Sequence, residues 1–205
     1  WKLREFRLII YGSTTKDPDY AEECRVLAKL CGIEKNVEIA GFGQANLVLP
    51  RGWVFLNSSK TEGMPLALGE AGLAGLPVVC TDVGGSYEVV SDSEMIFGAI
   101  APPRDPDELA RSVLKVLAMT DELGDGRISS YADKPTALIE RIYKSSSERR
   151  KLGMKYRANV MARFSIDRYI REHEQVITWA SVRCYERRSS QPGIFNKRVR
   201  RQREI

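Results

Sequence analysis

The sequence predicts an α/β fold in which a parallel sheet is flanked by helices, followed by a helical C-terminal extension. Short apolar runs alternate with amphipathic segments up to about residue 120, a spacing that favours β-α-β units. After residue 135 only helical periodicity remains. These two observations divide the chain into an α/β domain, an inserted loop, C-terminal helices and a polar tail, at residues 1–120, 121–134, 135–184 and 185–205.

Five short runs rich in Val, Ile, Leu and aromatic residues are predicted to be strands. The first, Phe6–Tyr11, is almost entirely apolar, so we expect it to be buried. The others are predicted at residues 36–40, 53–56, 76–81 and 95–100.

Aspartate followed by proline marks two helix starts. Asp17 and Asp105 are predicted N-caps, because each stands before a proline suited to the first helical turn. Capping also explains the D-x-D spacing at Asp17–Asp19 and Asp105–Asp107 better than metal binding does. These helices are expected to run to about Leu30 and Met119. Further helices are predicted at residues 65–74, 86–90, 135–145, 147–163 and 166–184, and one helical turn within 46–52.

The bulk composition is typical of a globular protein, with 43% hydrophobic and 29% charged residues. The apolar runs are much shorter than a membrane-spanning helix requires. The net charge of +5 is concentrated at the C-terminus: residues 183–205 carry +6, and the rest of the chain carries −1. We therefore expect the tail to be a disordered basic segment.

Cysteine and histidine usage argues against a zinc cluster. The four cysteines form no C-x-x-C pair, and His173 is the single histidine, surrounded by charged residues. Cys24 and Cys31 lie seven positions apart on a predicted helix, so we expect both to be buried. The chain is expected to reside in a reducing compartment, on the cytoplasmic side of any membrane.

Residues 56–85 are the most informative part of the chain. They predict a strand, a polar loop, a helix starting at Pro65, a strand and a Gly-Gly turn. Met64 is a poor cap, so the first N–H groups of this helix would lack a side-chain partner and could bind an anion such as a diphosphate. The alternative is that Thr61 or Glu62 folds over and caps the helix.

The segment Ser59–Ala71, with glutamates at 62 and 70, resembles the E-x7-E signature of retaining glycosyltransferases of family 4. The resemblance continues through Ala74–Gly85. Within the family, the sequence is most similar to the polysaccharide-synthesis branch that uses UDP-glucose. It implies a GT-B fold, in which two Rossmann-like halves face each other across a cleft. Here it covers about Phe6–Glu108, in the C-terminal, donor-binding half.

The resemblance implies specific roles around a UDP-sugar donor. Glu62 would contact the sugar near the reacting carbon, and Glu70 would accept hydrogen bonds from the ribose. The diphosphate would be bound by the loop and helix start after Glu62, with a polar loop across the cleft, at Gly63, Met64, Pro65, Leu66, Ala67, Ser13 and Thr14. No cofactor and no metal are implied.

Several assignments have alternatives. Gly41 and Phe42 lie where the family reads the base, yet Phe42 would serve equally as core filler. Lys60 would add a cation near the diphosphate or would be a solvated loop lysine, and Glu70 would otherwise lie on a solvated helix face. Gly69 and Gly72 each cost about 1 kcal/mol of helix propensity. They indicate tight packing or relaxed selection.

The resemblance also implies missing parts. The family has a further strand at the centre of this sheet, followed by an Arg/Lys clamp, and a complete acceptor-binding half. None of these is in the sequence, and the chain starts at Trp1, so we expect a fragment of a larger glycosyltransferase. Its partners would be the donor, the N-terminal half and a carbohydrate acceptor, with no nucleic acid. Membrane association would come through a parent chain or the basic tail.

Two other functions remain open. The chain could be a GT-B relative with other chemistry, such as an epimerase or a catalytically inactive nucleotide-sugar binder. It could instead be a binding module whose basic tail attaches to phosphates or to an anionic membrane.

Overall fold

The computed structural model describes residues 6–119 and 135–190, with side chains described as far as Arg183. The chain divides into two compact units, Trp1–Val160 and Met161–Ile205. The predicted α/β fold with a helical C-terminal extension is confirmed. The predicted loop at 121–134 and the predicted tail beyond Ser190 lie outside the described residues.

The first unit alternates strands and helices. Its strands are β1 Leu8–Tyr11, β2 Val37–Gly41, β3 Phe55–Asn57, β4 Val78–Thr81 and β5 Gly98–Ala101. Its first helices are α1 Pro18–Leu30, α2 Ala45–Val48 with a 3-10 turn at Leu49–Arg51, α3 Leu66–Leu73, α4 Ser86–Val90 and α5 Pro106–Ala118. Next come α6 Pro135–Lys144 and α7 Ser146–Arg163, and the latter crosses the boundary between the units.

All described strand pairs within these sheets are parallel, as predicted, but the strands form two sheets. β1 pairs with β2, and β4 lies between β3 and β5. Within the described residues β1 and β3 are not paired with each other. This break lies at the position where the resemblance implies a further strand.

The expectation that the first strand is buried is wrong. Leu8, Ile10 and Tyr11 are exposed in β1, whereas all four residues of β4 are buried. The apolar sequences of the two strands are alike. The difference arises because β4 has a paired strand on each side and helices against it, whereas β1 has one paired neighbour among the described strands.

The main core joins β4 and α3 to α7. Leu68, Val78, Phe97 and Tyr156 are all buried in it, and the Tyr156 ring stacks on Phe97 with ring centroids 5.1 Å apart. The Tyr156 hydroxyl donates a hydrogen bond of 3.0 Å to the carbonyl oxygen of Leu68. The helix that carries the E-x7-E signature is thereby fixed to the core through its buried face.

Both predicted aspartate caps are confirmed. Asp17 Oδ1 accepts from the Tyr20 N–H at 3.0 Å, and Asp105 Oδ1 accepts from the Glu108 N–H at 2.8 Å. Gly32 ends the first helix region with a φ of 66°, a left-handed conformation that glycine adopts without strain. The second aspartates, Asp19 and Asp107, lie in the first turns of the helices that Asp17 and Asp105 cap.

The second unit contains α8, Ile166–Ser190. It is longer than predicted, since its backbone stays helical beyond residue 184 as far as Ser190. His173 lies exposed on it, as expected, with its ring beside Tyr169 and Nδ1 2.9 Å from the Tyr169 carbonyl oxygen. Within the described part of the chain no helix combines the length and apolar character needed to cross a membrane.

Candidate functional site

The start of α3 is open. The helix begins at Leu66, so Pro65 is the N-cap and not the first helical residue as predicted. Pro65 has a φ of −75° but a ψ of 97°, which makes it extended. Neither Thr61 nor Glu62 caps the helix, because no side chain among the described residues hydrogen-bonds to its first turn.

Four backbone N–H groups at this helix start have no hydrogen-bond partner among the described residues: Gly63, Met64, Leu66 and Ala67. The first turn also contains no acidic residue. Because unpaired N–H groups and the helix dipole both carry partial positive charge, the α3 start can accept an anion without displacing a protein group.

Glu62 lies directly before this helix start and is partly buried. The Ser59 hydroxyl donates to its Oε1 at 2.6 Å, and the Asn57 side-chain amide approaches the same oxygen at 3.4 Å. Oε2 makes no hydrogen bond to any described residue. The carboxylate is therefore held through one oxygen and can accept a ligand hydroxyl with the other.

The Gly84-Gly85 turn after β4 forms the wall behind this loop. The Gly85 N–H donates to the Gly63 carbonyl at 2.7 Å. Gly84 has a φ of 54°, and a Cβ atom there would overlap the carbonyl oxygen of Glu62. Glycine is required at position 84 because both the conformation and the close approach exclude a side chain.

Glu70 lies in the middle of α3 and is exposed. Its carboxylate has no hydrogen bond or ion pair with any described residue. The structure therefore leaves Glu70 available to a ligand, and a solvated helix face remains the alternative.

A second group of predicted residues lies at the carboxyl ends of β1 and β2. The Gly12 N–H donates to the Gly41 carbonyl at 2.8 Å, which ties the two loops together. The Ser13 hydroxyl lies 3.1 Å from the Thr15 hydroxyl and accepts from the Lys16 N–H at 3.3 Å, so it stabilises its own turn. Thr14 is partly buried.

Phe42 is not core filler, because 89% of its side chain is exposed. Gly41 before it has a φ of 73°, which turns the chain sharply at the end of β2. An aromatic ring held at a strand end without packing partners among the described residues is available for stacking.

The structure thus places the predicted site residues in two groups. Glu62, Gly63, Met64, Pro65, Leu66 and Ala67 lie together at the start of α3, and Glu70 lies further along the same helix. Ser13, Thr14, Gly41 and Phe42 lie together at the ends of β1 and β2, and no hydrogen bond among the described residues joins the groups. Lys60 is exposed in the first group and has no described partner.

Sequence reasoning missed the residues that hold Glu62. Ser59 and Asn57 bond its carboxylate, and the buried Thr81 donates to the Ser59 carbonyl at 2.6 Å. The S-x-x-E spacing of Ser59 and Glu62 resembles a capping box and could have drawn attention to Ser59. No local signal points to Thr81, which lies 22 residues away.

The geometry suits a phosphorylated ligand bearing hydroxyl groups. Unpaired N–H groups at the helix start can bind phosphate oxygens, while the two carboxylates can accept from sugar hydroxyls. Within residues 6–119 and 135–183, no group of three or more His, Cys, Asp or Glu side chains could hold a metal ion.

Known proteins resemble this chain in sequence and in structure. Over 90 residues, or 42% of the chain, the sequence is 37% identical to a component of the phosphatidylinositol N-acetylglucosaminyltransferase of Arabidopsis thaliana, of which it covers 19%. The structure is similar to Anabaena HepE in complex with UDP (TM-score 0.62, 18% identity, 86% of this chain, 43% of HepE). It is also similar to the sucrose-phosphate synthase of Thermosynechococcus elongatus (TM-score 0.61, 22% identity, 86% and 39%).

The chain spans less than half the length of each of these proteins. At these low identities the two structures show a shared fold. The family itself follows from a match over residues 2–119, more than half of the chain, to the model of the group 1 glycosyl transferases. The chain belongs to the glycosyl transferases of group 1.

Proposed function

We propose that this chain is the donor-binding half of a retaining glycosyltransferase that transfers a hexose, glucose in the first instance, from a UDP-sugar. The observation that carries the proposal is the open N-terminus of α3 next to Glu62, with Glu70 exposed on the same helix, in a chain of the group 1 family. Polysaccharide synthesis is the proposed context. The acceptor would be a carbohydrate bound by a separate half.

The roles proposed for the site residues follow from where negative charge develops during transfer. Transfer breaks the bond between the anomeric carbon and the diphosphate, so negative charge grows on the departing UDP. The N–H groups of Gly63, Met64, Leu66 and Ala67 would stabilise that charge as fixed dipoles, which need no reorganisation during the step. Glu62 would hold the sugar and Glu70 the ribose.

The remaining site residues would complete the donor pocket. Phe42 would stack on the uracil, since its ring is exposed at the strand end. Support for a UDP-sugar comes from similar structures, of which HepE was solved with UDP and with UDP-glucose. No metal is proposed, because backbone N–H groups would offset the charge of the diphosphate.

Calorimetric titration of the 205-residue chain with UDP tests the proposal. We expect saturable binding that Glu70→Ala weakens by about tenfold, the effect of one charged hydrogen bond. Glu94→Ala is the matched control, because Glu94 is an exposed glutamate outside the site. Absence of saturable binding, or equal affinities for wild type and Glu70→Ala, would rule out the proposed donor site.

Product analysis separates transfer from other chemistry. With labelled UDP-glucose, the complete protein and a glucan acceptor, we expect a product with retained anomeric configuration and no loss of rate in EDTA. Formation of an epimerised UDP-sugar would identify an epimerase instead. Binding without turnover in the complete protein would indicate an inactive nucleotide-sugar binder.

A further inference from the structure

We propose that Ser59 is a positioning residue for Glu62 and that Thr81 anchors it to the sheet. The inference rests on the proposed function, in which the Glu62 carboxylate contacts the donor sugar. It adds the two side chains that fix which carboxylate oxygen faces the ligand.

Both described hydrogen bonds to the Glu62 carboxylate reach the same oxygen, Oε1. Ser59 Oγ donates to Oε1 at 2.6 Å, a short distance that is usual for a hydroxyl bonded to a carboxylate. Asn57 Nδ2 adds a longer contact of 3.4 Å to the same oxygen. An ionised carboxylate has no proton to give, so the hydroxyl proton of Ser59 must point at Oε1. Oε2 is left for the ligand.

Ser59 is itself fixed from both neighbouring strands. Its N–H donates to Asn57 Oδ1 at 3.0 Å, and Asn57 is the last residue of β3. Its carbonyl accepts from the Thr81 hydroxyl at 2.6 Å, and Thr81 is the buried last residue of β4. Through Ser59, Glu62 is therefore connected by hydrogen bonds to β4, the most deeply buried of the described strands.

This arrangement predicts a selective effect on ligands. UDP has no sugar for Glu62 to contact, whereas UDP-glucose does. Loss of the contact that holds Glu62 should therefore weaken the binding of UDP-glucose and leave the binding of UDP unchanged. A change that merely damaged the loop would weaken both ligands, because the same loop leads into the N–H groups that would bind the diphosphate.

Calorimetry of the 205-residue chain with UDP and UDP-glucose tests the proposal. Ser59→Ala is expected to weaken UDP-glucose about tenfold and UDP less than about twofold, and Ser59→Thr, which keeps the donor, should restore binding. Thr81→Val should give a smaller loss with the same selectivity. In the Glu62→Ala background, Ser59→Ala should cause no further loss, because the two residues act through one contact.

Equal weakening of both ligands, additive losses in the double variant, or unchanged UDP-glucose affinity would overturn the positioning role while leaving the donor site intact. If wild type binds neither ligand, the proposed function fails. A ligand-free measurement then still decides the inference: the carboxylate carbon resonance of Glu62 should shift in Ser59→Ala and return in Ser59→Thr. An unmoved resonance would refute it.

Discussion

The two sheets of the first unit differ in burial although their strands have similar apolar sequences. In the three-stranded sheet β4 is buried throughout, under α3 and α7, whereas β1 in the two-stranded sheet exposes Leu8, Ile10 and Tyr11. Glu62 follows β3 of the three-stranded sheet and Glu70 lies on α3, whereas Phe42 follows β2 of the two-stranded sheet. Side-chain composition alone does not determine burial, because pairing on both sides and cover by helices are also needed.

The largest difference in stability is expected when one apolar side chain is removed from α3, which packs on the three-stranded sheet, and one from β1. Leu68→Ala, at a fully buried position in α3, is expected to lower the free energy of unfolding by about 2–5 kcal/mol. Ile10→Ala in β1 should cost less than Leu68→Ala, because Ile10 is 37% exposed and less apolar area is lost from contact. Urea unfolding of both variants gives the comparison, and equal losses would contradict it.

Two glycines of α3 test the packing of the buried region at finer scale. A Cβ atom at Gly72 would lie 2.6 Å from Val160 Cγ2 and 2.9 Å from Tyr156 Cε1, whereas one at Gly69 would meet nothing within 4 Å. We expect Gly72→Ala to destabilise by about 1–3 kcal/mol through overpacking. Gly69→Ala should stabilise by up to about 1 kcal/mol through helix propensity.

The two substitutions serve as controls for each other, because they make the same chemical change one helical turn apart. Thermal unfolding of both variants measures the difference. Stabilisation by Gly72→Ala would show that α3 and α7 are not in close contact. The structure thus explains Gly72 by tight packing against a helix, and it offers no packing reason for Gly69.

Cys80 tests burial at the centre of the three-stranded sheet by pH. Burial, with a smaller contribution from Asp82, raises the pKa of the Cys80 thiol to about 12. The unfolded chain loses this proton at about pH 8.5–9, whereas the folded chain keeps it up to about pH 12. The free energy of unfolding therefore falls as the pH rises from about 9 to about 12. We expect a loss of about 1 kcal/mol per pH unit in this range relative to Cys80→Ala.

Thiol labelling at neutral pH gives an independent readout of the same contrast. Cys31 is exposed and should react rapidly in the folded protein, while Cys80 should react only on unfolding. Rapid labelling of Cys80 in the folded protein would contradict the buried assignment of β4.

The smallest expected effect belongs to the two-stranded sheet. Arg7, which precedes β1, donates to Glu38 of β2 at 2.6 Å, and the two side chains are 60% and 47% exposed. We expect Arg7→Ala to change the free energy of unfolding by no more than about 1 kcal/mol, because solvent and salt screen such pairs. Urea unfolding at low and high salt measures it, and a loss above about 2 kcal/mol would indicate a less exposed pair.

Local signals in the sequence predicted local structure well. Asp17 and Asp105 cap their helices as their aspartate-proline patterns indicate, and α4 occupies the predicted residues 86–90. Features set by tertiary packing were predicted poorly. Cys31, expected to be buried beside Cys24, is exposed at the C-cap of α1, and Cys24 itself is only partly buried, because helical spacing does not say which turns of a helix are covered.

The same division holds for the candidate site. The open start of α3 follows from Met64 and Pro65, which offer no capping oxygen, and this was predictable. The hydrogen bond from Thr81 to the Ser59 carbonyl was not predictable, because it joins residues 22 positions apart and depends on the parallel pairing of β3 with β4. The candidate binding residues could be found by pattern, whereas the residues that hydrogen-bond to Glu62 and Ser59 could be found only from the fold.

The proposed function requires that the start of α3 bind the diphosphate of the donor. Nitrogen–proton correlation spectra of the 205-residue chain during UDP titration test it most directly. We expect the amide resonances of Gly63, Met64, Leu66 and Ala67 to shift most and to saturate together. Saturable shifts confined to α8 or the basic tail, with these four amides unchanged, would contradict it.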